Sequence, residues 1–127
     1  MAAETASVRY IINDVPAAID FYTRHLGFTV EIDASPGFAS VVRGPLRLLL
    51  SGPESSGAWA MSDGTKPVPG GWARIHLPVD DIEHEATRLK DAGVRFRNDI
   101  VKGFGGSQVL LLDPSGNLVE LYQYETR

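Results

Sequence analysis

Three residues on two short stretches set the chemical question. In "GWARIHLPVDDIE", Gly71 to Glu83, Ile75, Leu77 and Val79 alternate as a strand with one face on a core does, so Arg74 and His76 share the other face. In "LLLDPSGNLVELYQ" Glu120 has Tyr122 two residues further on, and therefore on its own face of a strand. Histidine and glutamate can ligate a divalent cation or act as a general base. Arginine can do neither, because its guanidinium stays protonated and has no lone pair to offer; what it does well is fix a carboxylate. His76 is open to two readings. It is either a polar group lining a pocket and hydrogen-bonded to a neighbour, or a general base or displaced metal ligand.

Other chemistry is excluded or weakly signalled. The chain has no cysteine, which removes disulfides, thiolate zinc sites and cysteine nucleophiles together. "GFGG", Gly103 to Gly106, has the glycines of a phosphate-cradling loop, but no helix start or lysine follows in the required arrangement, so it reads as a flexible strand connection. No Ser-His-Asp order stands out and no H-E-x-x-H pattern is present. His25 and His84 fall on helices and read as surface residues. A net charge of −4 argues against nucleic acid or an anionic membrane as the main partner. No stretch approaches the roughly 20 apolar residues of a membrane span. "MAAETAS" has neither the basic start nor the apolar run of a signal peptide, so a cytoplasmic globular protein is expected.

The elements that must position these residues follow from periodicity. "SVRYIIND" reads as a strand, and Asp14 then caps a helix over "DVPAAIDFYTRHLG", with Pro16 near its first position and Gly27 at its end. Val15, Ile19, Tyr22 and Leu26 form its apolar stripe. "FTVEID", "FASVVR" and "LRLLLS" follow as strands, the last two joined by a Gly-Pro turn. Residues 52–71 form a Gly, Pro and Ser-rich loop, which is either a linker or a lid carrying Trp59 and Met61. The pattern then repeats. "WARIHLPVDD" is a strand, "DIEHEATRLKDAG" a helix capped by Asp81 and stopped by Gly93, and "VRFRND", "SQVLLLD" and "LVELYQYE" are three more strands. The reading is one domain over 1–127, built from two βαβββ modules at 7–51 and 72–124. A chain of 127 residues with 43% hydrophobic and 22% charged residues can bury a real core.

"DVPAAIDFYTRHLGFTVE" and "LLLDPSGNLVELYQ" resemble the opening and closing segments of the vicinal oxygen chelate superfamily, which includes glyoxalase I, extradiol dioxygenases, fosfomycin-resistance enzymes and bleomycin-resistance proteins. The resemblance implies an α+β fold in which each module's curved mixed sheet forms half a cup around a cavity, commonly in a dimer. It also implies four ligand positions in metal-dependent members, one on the first and one on the last strand of each module. Here these positions are Ser7, Leu49, Arg74 and Glu120, of which only Glu120 ligates normally, so no metal and no other cofactor is expected.

By alternation the cup presents Arg9, Arg47, Leu49, Arg74, His76, Glu120 and Tyr122, with Trp59, Met61 and Phe104 on nearby loops. Trp59 and Phe104 either meet a ligand or merely cover the open edge of the sheet. The resemblance implies a metal-independent binder of a small, aromatic or natural-product ligand, of the antibiotic-sequestering kind and working as a homodimer. Its rival is a lyase, isomerase or dioxygenase acting on a small carbonyl or aromatic substrate, with His76 or Glu120 as base, and only there would a divalent metal enter. A dimer with neither role is the third possibility, and whether modules pair within one chain or across two stays open. An Arg74–Glu120 ion pair is expected in the place of the ion.

Overall fold

The computed structural model describes residues 5–125, so Met1 to Glu4 of the stretch read for a leader lie outside it. The fold is α+β, with two α-helices and two open, mixed sheets among the described residues. The chain divides into two compact units, residues 1–70 and 71–127. Among the described residues no helix is long and apolar enough to cross a membrane.

In the first unit β1 (Ala6–Ile11), β2 (Thr29–Ala34), β3 (Phe38–Arg43) and β4 (Leu46–Ser51) form a sheet of order β1-β4-β3-β2. Strand β1 runs parallel to β4 and the other pairings are antiparallel. Helix α1 (Val15–Leu26) starts where Asp14 accepts a hydrogen bond from the Ala17 amide at 3.1 Å. It stops at Gly27, whose φ of 73° lets its amide turn back to the Tyr22 carbonyl. The buried side of α1 is Val15, Ala18, Phe21, Tyr22 and Leu26, packed against the sheet face that carries Tyr10, Ala39, Val41, Leu48 and Leu50. Ile19, expected in the stripe, is only half-buried, and Ala18 and Phe21 replace it.

The second unit repeats the plan with β5 (Arg74–Pro78), α2 (Ile82–Asp91), β6 (Arg95–Phe96), β7 (Val101–Lys102), β8 (Gly106–Leu112) and β9 (Leu118–Tyr124). Its sheet order is β5-β9-β8-β6, with β7 also on β8 and β5 parallel to β9. Asp81 caps α2 by accepting from the His84 amide at 3.0 Å, and Ile82, Ala86 and Leu89 are its buried stripe, as expected.

One element departs from the expectation. "VRFRND" is not a full strand, since only Arg95 and Phe96 pair with β8. Beyond them the Arg97 amide still donates to the Leu110 carbonyl at 2.8 Å, but the Leu110 amide is satisfied by the Asn98 side-chain oxygen at 2.9 Å. A side chain that fills a ladder position releases the backbone from the strand, and pairing resumes only at Val101. The loop at 52–71 is also less plain than its composition. A 3-10 turn at Ser56–Ala58 packs on β1 and β4, buries Ala58, and leaves Trp59 and Met61 largely exposed.

Candidate functional site

Strand alternation sorts the second sheet into two faces. Ile75, Leu77, Val109, Leu111, Val119 and Leu121 are buried on the face that α2 packs against. The opposite face carries Arg74 and His76 from β5 and Glu120, Tyr122 and Tyr124 from β9. Parallel pairing sets His76 directly against Glu120 and Arg74 against Leu118. This places Arg74 and His76 on either side of one carboxylate.

Glu120 is 8% exposed, so its charge must be compensated. Arg74 Nε donates to Oε1 at 3.1 Å, and His76 Nδ1 donates to Oε2 at 2.8 Å. The expected Arg74–Glu120 pair is therefore present, with His76 completing it. Because an ionised carboxylate only accepts, Nδ1 of His76 carries the hydrogen. In the neutral imidazole Nε2 is then an acceptor, and Tyr124 reaches it with its hydroxyl at 2.9 Å. The result is a four-member chain, Arg74–Glu120–His76–Tyr124, whose far end is an exposed phenol. The rings of His76, Tyr122 and Tyr124 pack together, with centroids 4.7–5.7 Å apart. Chemically the chain orients an imidazole and gives its outer nitrogen a path to the phenol, which suits hydrogen-bond recognition or proton transfer.

Glycines make room for this wall. A Cβ on Gly105 would stand 3.1 Å from the Tyr122 hydroxyl, and one on Gly106 would meet Tyr122 Cε1 at 2.9 Å. "GFGG" thus serves close packing of a strand start against Tyr122, and Phe104 between these glycines is fully exposed.

The equivalent face of the first unit carries Ser7, Arg9, Arg47, Leu49 and Ser51. Arg9 Nη1 donates to Ser51 Oγ at 2.8 Å and lies under the 3-10 turn, where a side chain on Gly57 would strike it. Arg47 grips Glu31 on the edge strand through two hydrogen bonds of 2.8 and 3.0 Å, and also donates to Ser7 Oγ at 3.4 Å. Ser40 also donates to Glu31, at 2.9 Å. Those bonds hold the Glu31 carboxyl below the usual glutamate range, with Arg47 the main cause, Ser40 next and desolvation opposing. The same contact raises Arg47. Leu49 has no polar partner to offer and is half-buried.

The residues at the four ligand positions do not fit a divalent cation. Ser7 and Leu49 are poor or impossible ligands, Arg74 is a cation, and both oxygens of Glu120 already accept hydrogen bonds. No group of three or more His, Asp or Glu suited to a metal occurs among the described residues.

Of the residues singled out from sequence, Arg74, His76, Glu120 and Tyr122 come together in the second unit, and Arg9, Arg47 and Leu49 share a face in the first. Trp59, Met61 and Phe104 are exposed side chains without a part in either cluster. Two participants were missed. Tyr124 was legible in principle, since it shares the i, i+2, i+4 parity of Glu120 and Tyr122. Glu31 was not, because alternation puts it on the face of Thr29 but does not tell that β2 lies next to β3, within reach of Arg47.

Comparison with known proteins gives consistent results. The profile of the Glyoxalase/Bleomycin resistance protein/Dioxygenase superfamily matches residues 5–121. A member of that superfamily from Sphaerobacter thermophilus is 29% identical, with a TM-score of 0.76 over 96% of this chain and 98% of the other. TnmS3, an antibiotic binding protein from Streptomyces sp. CB03234, is 24% identical, with a TM-score of 0.73 over 98% of both chains. Lactoylglutathione lyase from Agrobacterium tumefaciens is 22% identical, with a TM-score of 0.71 over 97% of this chain and 94% of the other. No curated protein matches the sequence.

Proposed function

Because the chain belongs to the Glyoxalase/Bleomycin resistance protein/Dioxygenase superfamily, we propose that it is a metal-independent small-molecule binder that sequesters an antibiotic or a related natural product, as in self-resistance. One observation carries the reading. The position from which metal-dependent relatives would offer a ligand is taken by Arg74, whose guanidinium is spent on Glu120. An arginine in that place repels a cation and leaves a fixed, polar wall beside the aromatic side chains of Tyr122 and Tyr124. Such a wall stacks a planar ligand and orders its polar groups. The fold is one that an antibiotic binding protein also uses. The proposed assembly is a cytoplasmic homodimer with two equivalent sites.

A second reading is favoured by the hydrogen-bonded sequence Glu120–His76–Tyr124. Here the chain would be a lyase, isomerase or dioxygenase acting on a small carbonyl or aromatic substrate, with His76 as base. A lactoylglutathione lyase shares the fold.

Protein purified without chelators decides between them. The binder is expected as a dimer by light scattering, with far less than one Zn, Ni, Fe or Mn per chain by elemental analysis. It is expected to bind planar natural products in calorimetric titrations without converting them, and Tyr122→Ala with Tyr124→Ala is expected to weaken that binding. About one divalent ion per chain, or turnover of α-keto hemithioacetals, would overturn the reading in favour of the enzyme.

A further inference from the structure

At the Arg74 end of the same face of the second sheet, away from Tyr122 and Tyr124, a pocket of about 260 Å³ is lined by Gly71, Trp72, Arg97, Leu112, Gly116 and Leu118. Its apolar wall includes Leu118, which is 3% exposed. Gly71 and Gly116 contribute no side chain, and neither would have a Cβ neighbour within 4 Å, which leaves the space open. Trp72 presents an indole that is 65% exposed, a large apolar area to leave in water. Arg97 lies over that indole with its guanidinium carbon 5.1 Å from the ring centroid. No ion pair or side-chain hydrogen bond of Arg97 occurs among the described residues, in contrast with Arg47 and Arg74.

We propose that this pocket is a binding site for a planar aromatic monocarboxylate, with Arg97 taking the carboxylate and Trp72, Leu112 and Leu118 taking the ring. The proposal goes beyond the function argued above and holds under either reading of it. A guanidinium stacked on an indole keeps its N–H edge free while losing much of its side-chain freedom, so less ordering is left to be done when an anion arrives. Its planar fork matches a carboxylate with two parallel hydrogen bonds. The volume suits one or two fused rings and is below that of pockets for larger ligands. A neutral isostere would keep the ring contacts and lose the charge-assisted bonds, so the site discriminates by charge.

The test uses the full ¹⁵N-labelled chain, whose two tryptophans give two indole N–H signals, assigned with Trp59→Phe. The probes are 2-naphthoate and its neutral isostere 2-naphthamide. Expected is a saturable shift of the Trp72 signal with 2-naphthoate and none at Trp59. The amide should bind at least about tenfold more weakly, a preference that Arg97→Gln abolishes. Arg97→Lys keeps the charge without the fork, and should weaken 2-naphthoate several-fold. A Trp72 signal that never saturates, equal affinity for acid and amide, or an undiminished preference in both Arg97 variants would overturn the proposal.

Discussion

Both units build a sheet in which the first strand runs parallel to the last, and both bring an arginine to a glutamate, but they do so in different places. In the second unit the carboxylate is Glu120 on the last strand, flanked by the first-strand residues Arg74 and His76 and nearly closed to water. In the first unit that position is Leu49, and the carboxylate is Glu31 on the edge strand, reached by Arg47 across β3. Side-chain exposure is 11% for Glu120 and 34% for Glu31. The duplicated backbone therefore does not carry duplicated electrostatics. The central pair constrains its surroundings because the nearly buried Glu120 carboxylate is costly to leave without its partner, whereas the edge pair is screened at both ends. The unit with the central carboxylate is also the one with the His76–Tyr124 extension, so chemistry is concentrated in one half of the repeat.

The largest effect expected concerns the turns that set these last strands. The first unit turns from β3 to β4 through Gly44 and Pro45, with Gly44 at a φ of 57°. The second unit uses Asp113 to Asn117, where the fully buried Asp113 carboxylate accepts from the Ser115 and Asn117 amides at 2.9 Å and from the Asn117 side chain at 3.1 Å. Asp113→Ala leaves these donors without an acceptor and should cost about 3 kcal/mol in urea unfolding. A loss below about 1 kcal/mol would mean that this turn is no more dependent on its side chain than the first one is.

Next comes the central pair. Arg74 is 31% exposed at its side chain and His76 remains to hold Oε2 when the arginine is removed, so the pair is neither fully buried nor free in water. Arg74→Ala should cost about 2 kcal/mol, between the ranges for buried and surface pairs. Arg74→Leu combined with Glu120→Leu should cost clearly less than Arg74→Leu alone, because no uncompensated carboxylate is left. A double variant as unstable as the sum of the singles would show that Arg74 and Glu120 are not coupled, and the contrast with the edge pair would fail.

Much of this was legible in the residues themselves. Both N-caps, both helix ends and the parity that joins Arg74, His76, Glu120 and Tyr122 follow from local rules that the tertiary structure does not override. The fold-level resemblance adds the approach of Arg74 to Glu120, which alternation alone cannot supply. What was not legible depends on single non-local events. Asn98 interrupts a strand by bonding Leu110, twelve residues away, and Glu31 meets Arg47 only because β2 lies next to β3 in the sheet. The partners of Arg47 could not be read for the same reason. Neither event leaves a trace in periodicity.

The smallest effect expected is in acid, and it isolates the edge pair. Glu31 has its pKa lowered in the folded protein by Arg47 and Ser40. A group lowered on folding contributes stability that is fully present above its unfolded value, roughly 4.3, and lost as pH falls through the folded value. Asp33, held by Ser35, and Asp63, held by Thr65, are lowered as well, so the total acid sensitivity is not the measure of Glu31. The difference between the parent and Glu31→Gln is. Glu31→Gln should be modestly less stable at neutral pH, and the gap should close as the pH falls below the unfolded value of roughly 4.3 and through the lowered folded one, because the parent then carries a protonated carboxyl too. Added salt at neutral pH should narrow the same gap, since both partners are open to solvent. A gap that is unchanged by acid and by salt would mean that Glu31 acts through shape and not through charge, and the edge pair would no longer be the screened counterpart of the central one.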